Sequence, residues 1–252
     1  MRDAFVTLTG ATIAPGGRIV AQGLSIDLRA GQLLAILGPN GRGKTTLIRA
    51  LVGALPLKTG ARHVRGALGY VPQGAALGFD YKVREVVVMG RARHLGLFQS
   101  PRPEDYAVAE AALDRVGMAH LQDQTVTTLS GGERQLVMVA RALAGDCDLL
   151  ILDEPASALD LKNQHKLFQI LSSLAHDDGL GIAFSTHVPG HAFEAADDVL
   201  LLYSEDSRVI GAAADVLTET ALSALYGTPV RVLEETGPNG TLRAAVASVG
   251  PP

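Results

Sequence analysis

The segment Gly38-Pro39-Asn40-Gly41-Arg42-Gly43-Lys44-Thr45 fits the phosphate-binding pattern G-x-x-x-x-G-K-[ST] without a gap. Glycines at this spacing let the backbone curl until several N–H groups face one anion. The helix that follows adds the positive end of its dipole. Lys44 is placed to neutralise β- and γ-phosphates and the Thr45 hydroxyl to ligate Mg²⁺, with Thr46 beside them in the same first turn. A glycine-rich turn can also join a strand to a helix with no ligand. Here Lys-Thr stands in register, the apolar run 33–37 precedes it, and a helical stretch over 45–52 follows. The chain reads as one that binds a nucleoside triphosphate.

Two carboxylates come next. Leu149-Leu150-Ile151-Leu152-Asp153-Glu154 sets Asp153 and Glu154 at the C-terminal end of a buried strand, the edge where ligands gather in open parallel sheets. Asp153 suits Mg²⁺, which keeps several waters and needs few protein ligands. Glu154 is placed to orient and deprotonate a water attacking a γ-phosphate. On its own, Asp-Glu-Pro could merely cap the following segment. Beside a phosphate loop the chemical reading is the stronger one.

A third constellation is Leu129-Ser130-Gly131-Gly132-Glu133-Arg134-Gln135, directly before an amphipathic stretch. Ser130 with Glu133 three residues on forms a capping box. The double glycine exposes backbone N–H groups at a helix start, where an anion can approach closely. Two such helix ends are hard to aim at one nucleotide within one chain, unless the second serves a neighbouring copy.

These groups must be held by a layered fold. Residues 3–36 alternate as antiparallel strands, with Pro15-Gly16-Gly17 as a turn. Residues 66–73 predict a short strand ending in Gln73. Helices are predicted over 83–93 and 104–116, with a loop broken by Pro101 and Pro103 between them, so that about 74–130 forms a helical insert. Strands then alternate with helices: helix 132–144, strand 148–152, helix 160–175, strand 181–185, a short helix and strand 198–203. That alternation gives an α/β fold, a mostly parallel sheet covered on both faces. Residues 1–236 read as one domain, and the Gly-, Ala- and Pro-rich stretch 237–252 as a loosely ordered tail.

Composition narrows the function. A formal charge of −4 gives no global attraction to nucleic acid or to an anionic membrane surface. Cys147 is the only cysteine, so no intrachain disulfide forms, and beside the run 149–152 it reads as a small buried hydrophobe. No apolar run approaches the roughly 18 residues that span a bilayer, and no signal-peptide core follows Met1, so the chain reads as soluble. Of seven histidines, His63, His94, His120, His165 and His176 read as surface or core residues. His187 and His191 stand four apart, but Pro189-Gly190 interrupts the helix that metal-ligand spacing would require.

Taken in order, Gly38–Thr45, Gln73, Leu129–Gln135, Leu152-Asp153-Glu154, Ala158-Leu159-Asp160 and Ser185-Thr186-His187 resemble the motifs of ATP-binding-cassette (ABC) ATPases. The resemblance runs over residues 3–235. It implies the P-loop fold of the ABC type, with an N-terminal antiparallel β subdomain and the helical insert. It also implies two subunits packed head to tail, sandwiching two ATP molecules with Mg²⁺. By that likeness Gly38 through Thr46 hold the nucleotide, and Ser130, Gly131, Gly132 and Glu133 reach the γ-phosphate on the opposite subunit. Thr45, Gln73 and Asp153 serve Mg²⁺, Glu154 is the base, His187 senses the γ-phosphate, and Asp160 links the two sites.

Two features depart from the family pattern. Residues Ala11 to Arg18 offer no aromatic ring on which adenine could stack, and Glu133 stands where glutamine is commoner. Within the family, Val86-Val87-Val88-Met89-Gly90-Arg91, residues 103–106, residues 152–164 and the ending around Leu225-Tyr226-Gly227 are similar to ATPases of metal-chelate importers of the iron-siderophore, haem and cobalamin group. Molybdate and tungstate importers share this look. The resemblance implies two transmembrane permease subunits, a substrate-binding protein upstream, no nucleic acid, and a peripheral place at the cytoplasmic face of the membrane. The patch Val83, Val86–Met89, Leu95, Leu97 and Phe98 is the expected permease contact, part of it core. A soluble assembly ATPase, of the iron–sulfur kind, is the alternative reading.

Overall fold

The computed structural model describes residues 4–74, 80–96, 98–237 and 240–248. In chain order the elements begin with β1 (Ala4–Ile13), β2 (Ala21–Arg29), β3 (Leu33–Leu37), α1 (Lys44–Leu51), β4 (Thr59–Val64) and β5 (Leu68–Val71). Then come α2 (Val83–Val88), α3 (Pro103–Arg115), α4 (Gly131–Ala144), β6 (Leu149–Leu152), α5 (Leu161–His176), β7 (Gly181–Thr186) and α6 (Pro189–Ala195). The chain continues through β8 (Asp198–Leu202), β9 (Arg208–Ala212), α7 (Ala213–Val216) and α8 (Glu219–Tyr226) to a hairpin, β10 (Val230–Gly237) and β11 (Gly240–Ala247).

The central sheet runs β5-β6-β7-β3-β8-β9, parallel except for the antiparallel edge strand β9. Its strands sort their side chains by twos. Leu33, Ala35, Leu37, Leu150, Leu152, Ile182 and Phe184 face a core shared with the helices of the insert, α5 and α6. Leu34, Ile36, Leu149, Ile151 and Ala183 face a second core closed by α1 and the antiparallel sheet β2-β1-β4. Both faces are covered, which is why these strands read as unbroken apolar runs. The register aligns the C-terminal ends of β3, β6 and β7, so the loops that follow them open on one edge.

Three expectations need correction, and one strand, β4, is unannounced in the sequence. The helix expected over 83–93 is α2 followed by a 3₁₀ segment, Met89–His94. The chain tightens there because Gly90 lies against α4: a Cβ on it would fall 2.0 Å from the Arg141 carbonyl oxygen. Arg91 locks this approach, bonding Asp105 at 3.2 Å and the Ala144 carbonyl at 3.0 Å. The apolar patch of the insert is chiefly core, with Val83, Val86, Val87 and Val88 buried, while Met89 and Phe98 are exposed and Leu97 lies outside the described residues. Exposed strand β4, without alternation in its sequence, pairs with β1. Finally, Gly240–Ala247 pairs with Val230–Gly237, so that stretch is an ordered hairpin rather than a loose tail; Val232 and Ala245 pack on the main core.

Candidate functional site

The phosphate loop leaves β3 with Gly38, whose N–H donates to the Thr186 carbonyl at 3.3 Å, so the loop is pinned to the end of β7. Gly43 caps α1 at φ 90°, a left-handed conformation that favours glycine. Lys44 is 5% exposed, and its ammonium donates to the Gly38 carbonyl at 2.9 Å and the Pro39 carbonyl at 3.2 Å. The loop is thus curled around its own lysine. Asn40, Gly41, Gly43, Lys44, Thr45 and Thr46 line a cavity of about 390 Å³, with Gln73 and Glu154 completing it.

Glu154 is the point on which the motifs meet. Lys44 Nζ lies 3.1 Å from its Oε1. Gln73 Nε2 donates to its Oε2 at 3.4 Å, and His187 Nδ1 lies 3.3 Å from that same oxygen. Glu154 sits at φ 45°, which a non-glycine residue adopts only where its surroundings impose it. Ser185, on the neighbouring strand, imposes it. Its hydroxyl accepts the Glu154 N–H at 2.8 Å and donates to Asp153 Oδ1 at 2.6 Å. Asp153 is 1% exposed, and one buried hydroxyl therefore aims both carboxylates.

His187 and His191 do not form a metal pair. Helix α6 starts at Pro189, which leaves His187 in the loop. His191 is buried, with Nδ1 2.8 Å from Thr186 Oγ1 and Nε2 3.2 Å from Gln164 Oε1. Burial, assisted by the nearby His187, pushes its pKa down to about 4. Among the described residues no group of three or more His, Cys, Asp or Glu could hold a metal ion. Cys147 is half-buried, and burial raises its thiol to about 11, which suits a packing residue and not a nucleophile.

Ser130, Gly131, Gly132 and Glu133 stand apart from this cluster, at the start of α4. The capping box forms as expected. Glu133 N–H donates to Ser130 Oγ at 3.3 Å, and the Ser130 hydroxyl and N–H donate to Glu133 Oε2 at 2.7 and 2.8 Å. These bonds hold the Glu133 carboxyl below the usual glutamate range. The N-terminus of α5 lies beside them. Asp160 caps it by accepting from Asn163 N–H at 2.8 Å, and a Cβ on Gly132 would fall 2.8 Å from the Asn163 side chain. A cleft of about 300 Å³ separates this corner from Gln73 and Glu154.

Three contacts had no clear sequence signal: Ser185 as the bridge to both carboxylates, Gln164 as partner of His191, and Tyr226. The Tyr226 hydroxyl donates to the His187 carbonyl at 2.8 Å, fixing that loop from α8. Burial raises the Tyr226 pKa further above its already high value.

A family model described as ABC transporter matches residues 21–157, a span that includes the phosphate loop, Gln73, Ser130–Glu133 and Glu154. The chain belongs to the ABC transporter family. Among its relatives, the molybdate import ATP-binding protein MolC of Haemophilus influenzae is 41% identical over 209 residues, 83% of this chain and 82% of the relative. The hemin import ATP-binding protein HmuV of Rhodococcus jostii is 36% identical over 247 residues, 92% of this chain and 83% of the relative. The fold agrees with a solved metal-chelate type ABC transporter in an inward-facing conformation, at a TM-score of 0.92 and 35% identity over 97% of this chain and 98% of that one. The ABC ATPase fold is therefore the one expected from the motifs, antiparallel β subdomain included. No helix among the described residues is long and apolar enough to cross a membrane.

Proposed function

We propose that the chain is the ATP-hydrolysing subunit of an importer. In this reading it works as a head-to-tail homodimer on two transmembrane permease subunits and drives uptake of a metal chelate of the iron-siderophore, haem or cobalamin type. The observation that carries the hydrolytic reading is the meeting of Lys44, Gln73 and His187 on the Glu154 carboxylate. With a triphosphate in the loop, Lys44 turns from Glu154 to the phosphates. The released carboxylate takes a proton from the water that attacks the γ-phosphorus, and Gln73 and His187 hold it in line. Mg²⁺, bound with the nucleotide, neutralises phosphate charge. Thr45, Asp153 and Gln73 would hold it, a small oxygen set that fits an ion whose remaining ligands are phosphate and water.

Ser130, Gly131, Gly132 and Glu133 lie outside the phosphate cavity and share one corner with Asp160. That placement supports their acting on the nucleotide of a second copy. Residues 1–236 form the ATPase unit, with 74–130 facing the permease at the cytoplasmic face of the membrane and a substrate-binding protein delivering cargo on the other side. No nucleic acid takes part. The decisive variant is Glu154→Gln. Turnover should fall about 10²–10⁴-fold, the range a positioned general base supplies, with ATP binding intact and an ATP-bound dimer trapped. Hydrolysis at the unmodified rate would remove Glu154 from this role.

A second reading is favoured by one observation, the 41% identity to a molybdate import subunit. In that case the cargo is molybdate or tungstate. Uptake into vesicles holding the assembled transporter, measured with molybdate against ferric and corrinoid chelates, separates the two.

A further inference from the structure

His191, the buried histidine that stands apart from the phosphate cavity, belongs to a series of hydrogen bonds that can run in only one direction. Gln164 lies in the first turn of α5. Its amide nitrogen donates to the Leu159 carbonyl at 2.9 Å and to the Ala156 carbonyl at 3.3 Å. An amide oxygen could not face two carbonyls, so Gln164 Oε1 is left as an acceptor. It lies 3.2 Å from His191 Nε2, which must therefore carry the ring proton. Nδ1 then offers its lone pair and accepts the Thr186 hydroxyl at 2.8 Å. The Thr186 oxygen in turn accepts the Val188 N–H at 3.1 Å. Every donor meets an acceptor, and only a neutral His191 ring can stand in the middle.

The series joins two parts of the molecule. At one end is the turn 156–160, on which the start of α4 rests: a Cβ on Gly131 would fall 3.5 Å from the Ala158 carbonyl oxygen. At the other end is the loop that carries His187. Thr186 holds that loop twice, since its carbonyl also accepts the Gly38 N–H of the phosphate loop at 3.3 Å. Val188, on the far side of His187, bonds the same Thr186 hydroxyl. Both neighbours of His187 are thus fixed through one oxygen, and His191 aims that oxygen. The His191 ring has little room to turn away. It is 6% exposed, and its centroid lies 4.8 Å from that of buried Phe168. Neither His191 nor Gln164 lines the phosphate cavity. Their effect on it can only pass through His187.

We propose that Gln164 and His191 are positioning residues for hydrolysis, which set the His187 imidazole against Glu154 by reference to the 156–160 turn. The proposal rests on the hydrolytic reading above, in which His187 acts beside the γ-phosphate. It is tested on the purified full chain by steady-state ATP hydrolysis and by ATP affinity. A third readout is the imidazole NMR signals of His187, assigned by their loss in His187→Ala. His191→Phe keeps a ring packed on Phe168 and removes both bonds. It should move the His187 signals and lower kcat about tenfold, part of the roughly 10²-fold that about 1 Å of misplacement can cost. ATP affinity should hold, as when an interaction made only in the transition state is weakened. His191→Gln can still accept from Thr186 and donate to Gln164, and should restore both kcat and the signals. Gln164→Glu keeps the acceptor for His191 but sets a carboxylate against two carbonyls, and should resemble His191→Phe. Gln164→Glu combined with His191→Phe should be no slower than either alone, because a series is broken only once. An unchanged kcat or unmoved His187 signals in His191→Phe, no recovery with glutamine, or losses that multiply would each overturn the proposal. Failure of the unmodified chain to hydrolyse ATP would instead bring down the ATPase reading, and this assignment with it.

Discussion

The two ends of the proposed catalytic apparatus are built differently. Around Glu154 the contacts come from every part of the chain: Lys44 from the phosphate loop, Gln73 from beyond β5, His187 and Ser185 from β7 and its loop. At Ser130 they are local. Serine and Glu133, three residues apart, satisfy each other. The first end is a site assembled by the fold, with Lys44, Asp153 and Ser185 buried beneath it and Gln73 open to water above it. The second is a capped helix start with Ser130 exposed, whose hydroxyl bonds only Glu133 among the described residues. A cap of this kind holds its geometry without any ligand, and on the proposed function the hydroxyl would exchange one anionic acceptor for another.

If the two ends belong to one site shared between copies, they can be knocked out separately and recombined. Lys44→Ala and Ser130→Ala should each lose about 10²-fold or more in turnover, by removing transition-state charge stabilisation. A mixture should recover single-turnover hydrolysis, because the mixed dimer contains one site with both lysine and serine. Failure to recover would break the comparison at its centre. Ser130→Ala should also cost about 1 kcal/mol of stability by denaturant titration, the usual loss for an N-cap.

Ser185→Ala probes the other end. It leaves the buried Asp153 carboxylate and the Glu154 N–H short of a partner, which costs about 1–3 kcal/mol. It should reduce turnover by about tenfold while nucleotide affinity is held, as expected when a base is mispositioned rather than removed. Equal losses in affinity and turnover would mean that Ser185 shapes the phosphate loop instead.

The smallest effect is on pH dependence. The folded pKa of His191, about 4, lies below its ordinary value of 6.5, so the unfolded chain binds the extra proton first. Stability is full above pH 6.5 and declines as pH falls towards 4, by up to about 3 kcal/mol if the whole difference is expressed. Chemical denaturation across that range should show the slope, and His191→Gln should flatten it.

What could be read from the sequence was what is local or periodic. The capping residues Ser130 and Asp160, the unbroken apolar runs of β3 and β6, and the loop around Lys44 each announce themselves within a few residues. What could not be read depends on partners far along the chain. Strand β4 is exposed throughout, so it carries no alternation, and only its pairing with β1 makes it a strand. The last strand, Gly240–Ala247, has small and mixed side chains that resemble a tail until Val230–Gly237 lies beside it. His187 and His191 look alike in sequence, and only the helix start at Pro189 gives one to the phosphate side and the other to the core. The end of α2 at Val88 is not legible in the sequence, because the close approach of Gly90 to Arg141 exists only once α4 is packed beside it.

The bond from the Tyr226 hydroxyl to the His187 carbonyl reaches across 39 positions of sequence. It makes α8 a brace for the loop that carries His187, so loosening that one helix should let the imidazole drift from the Glu154 carboxylate without touching either of them directly.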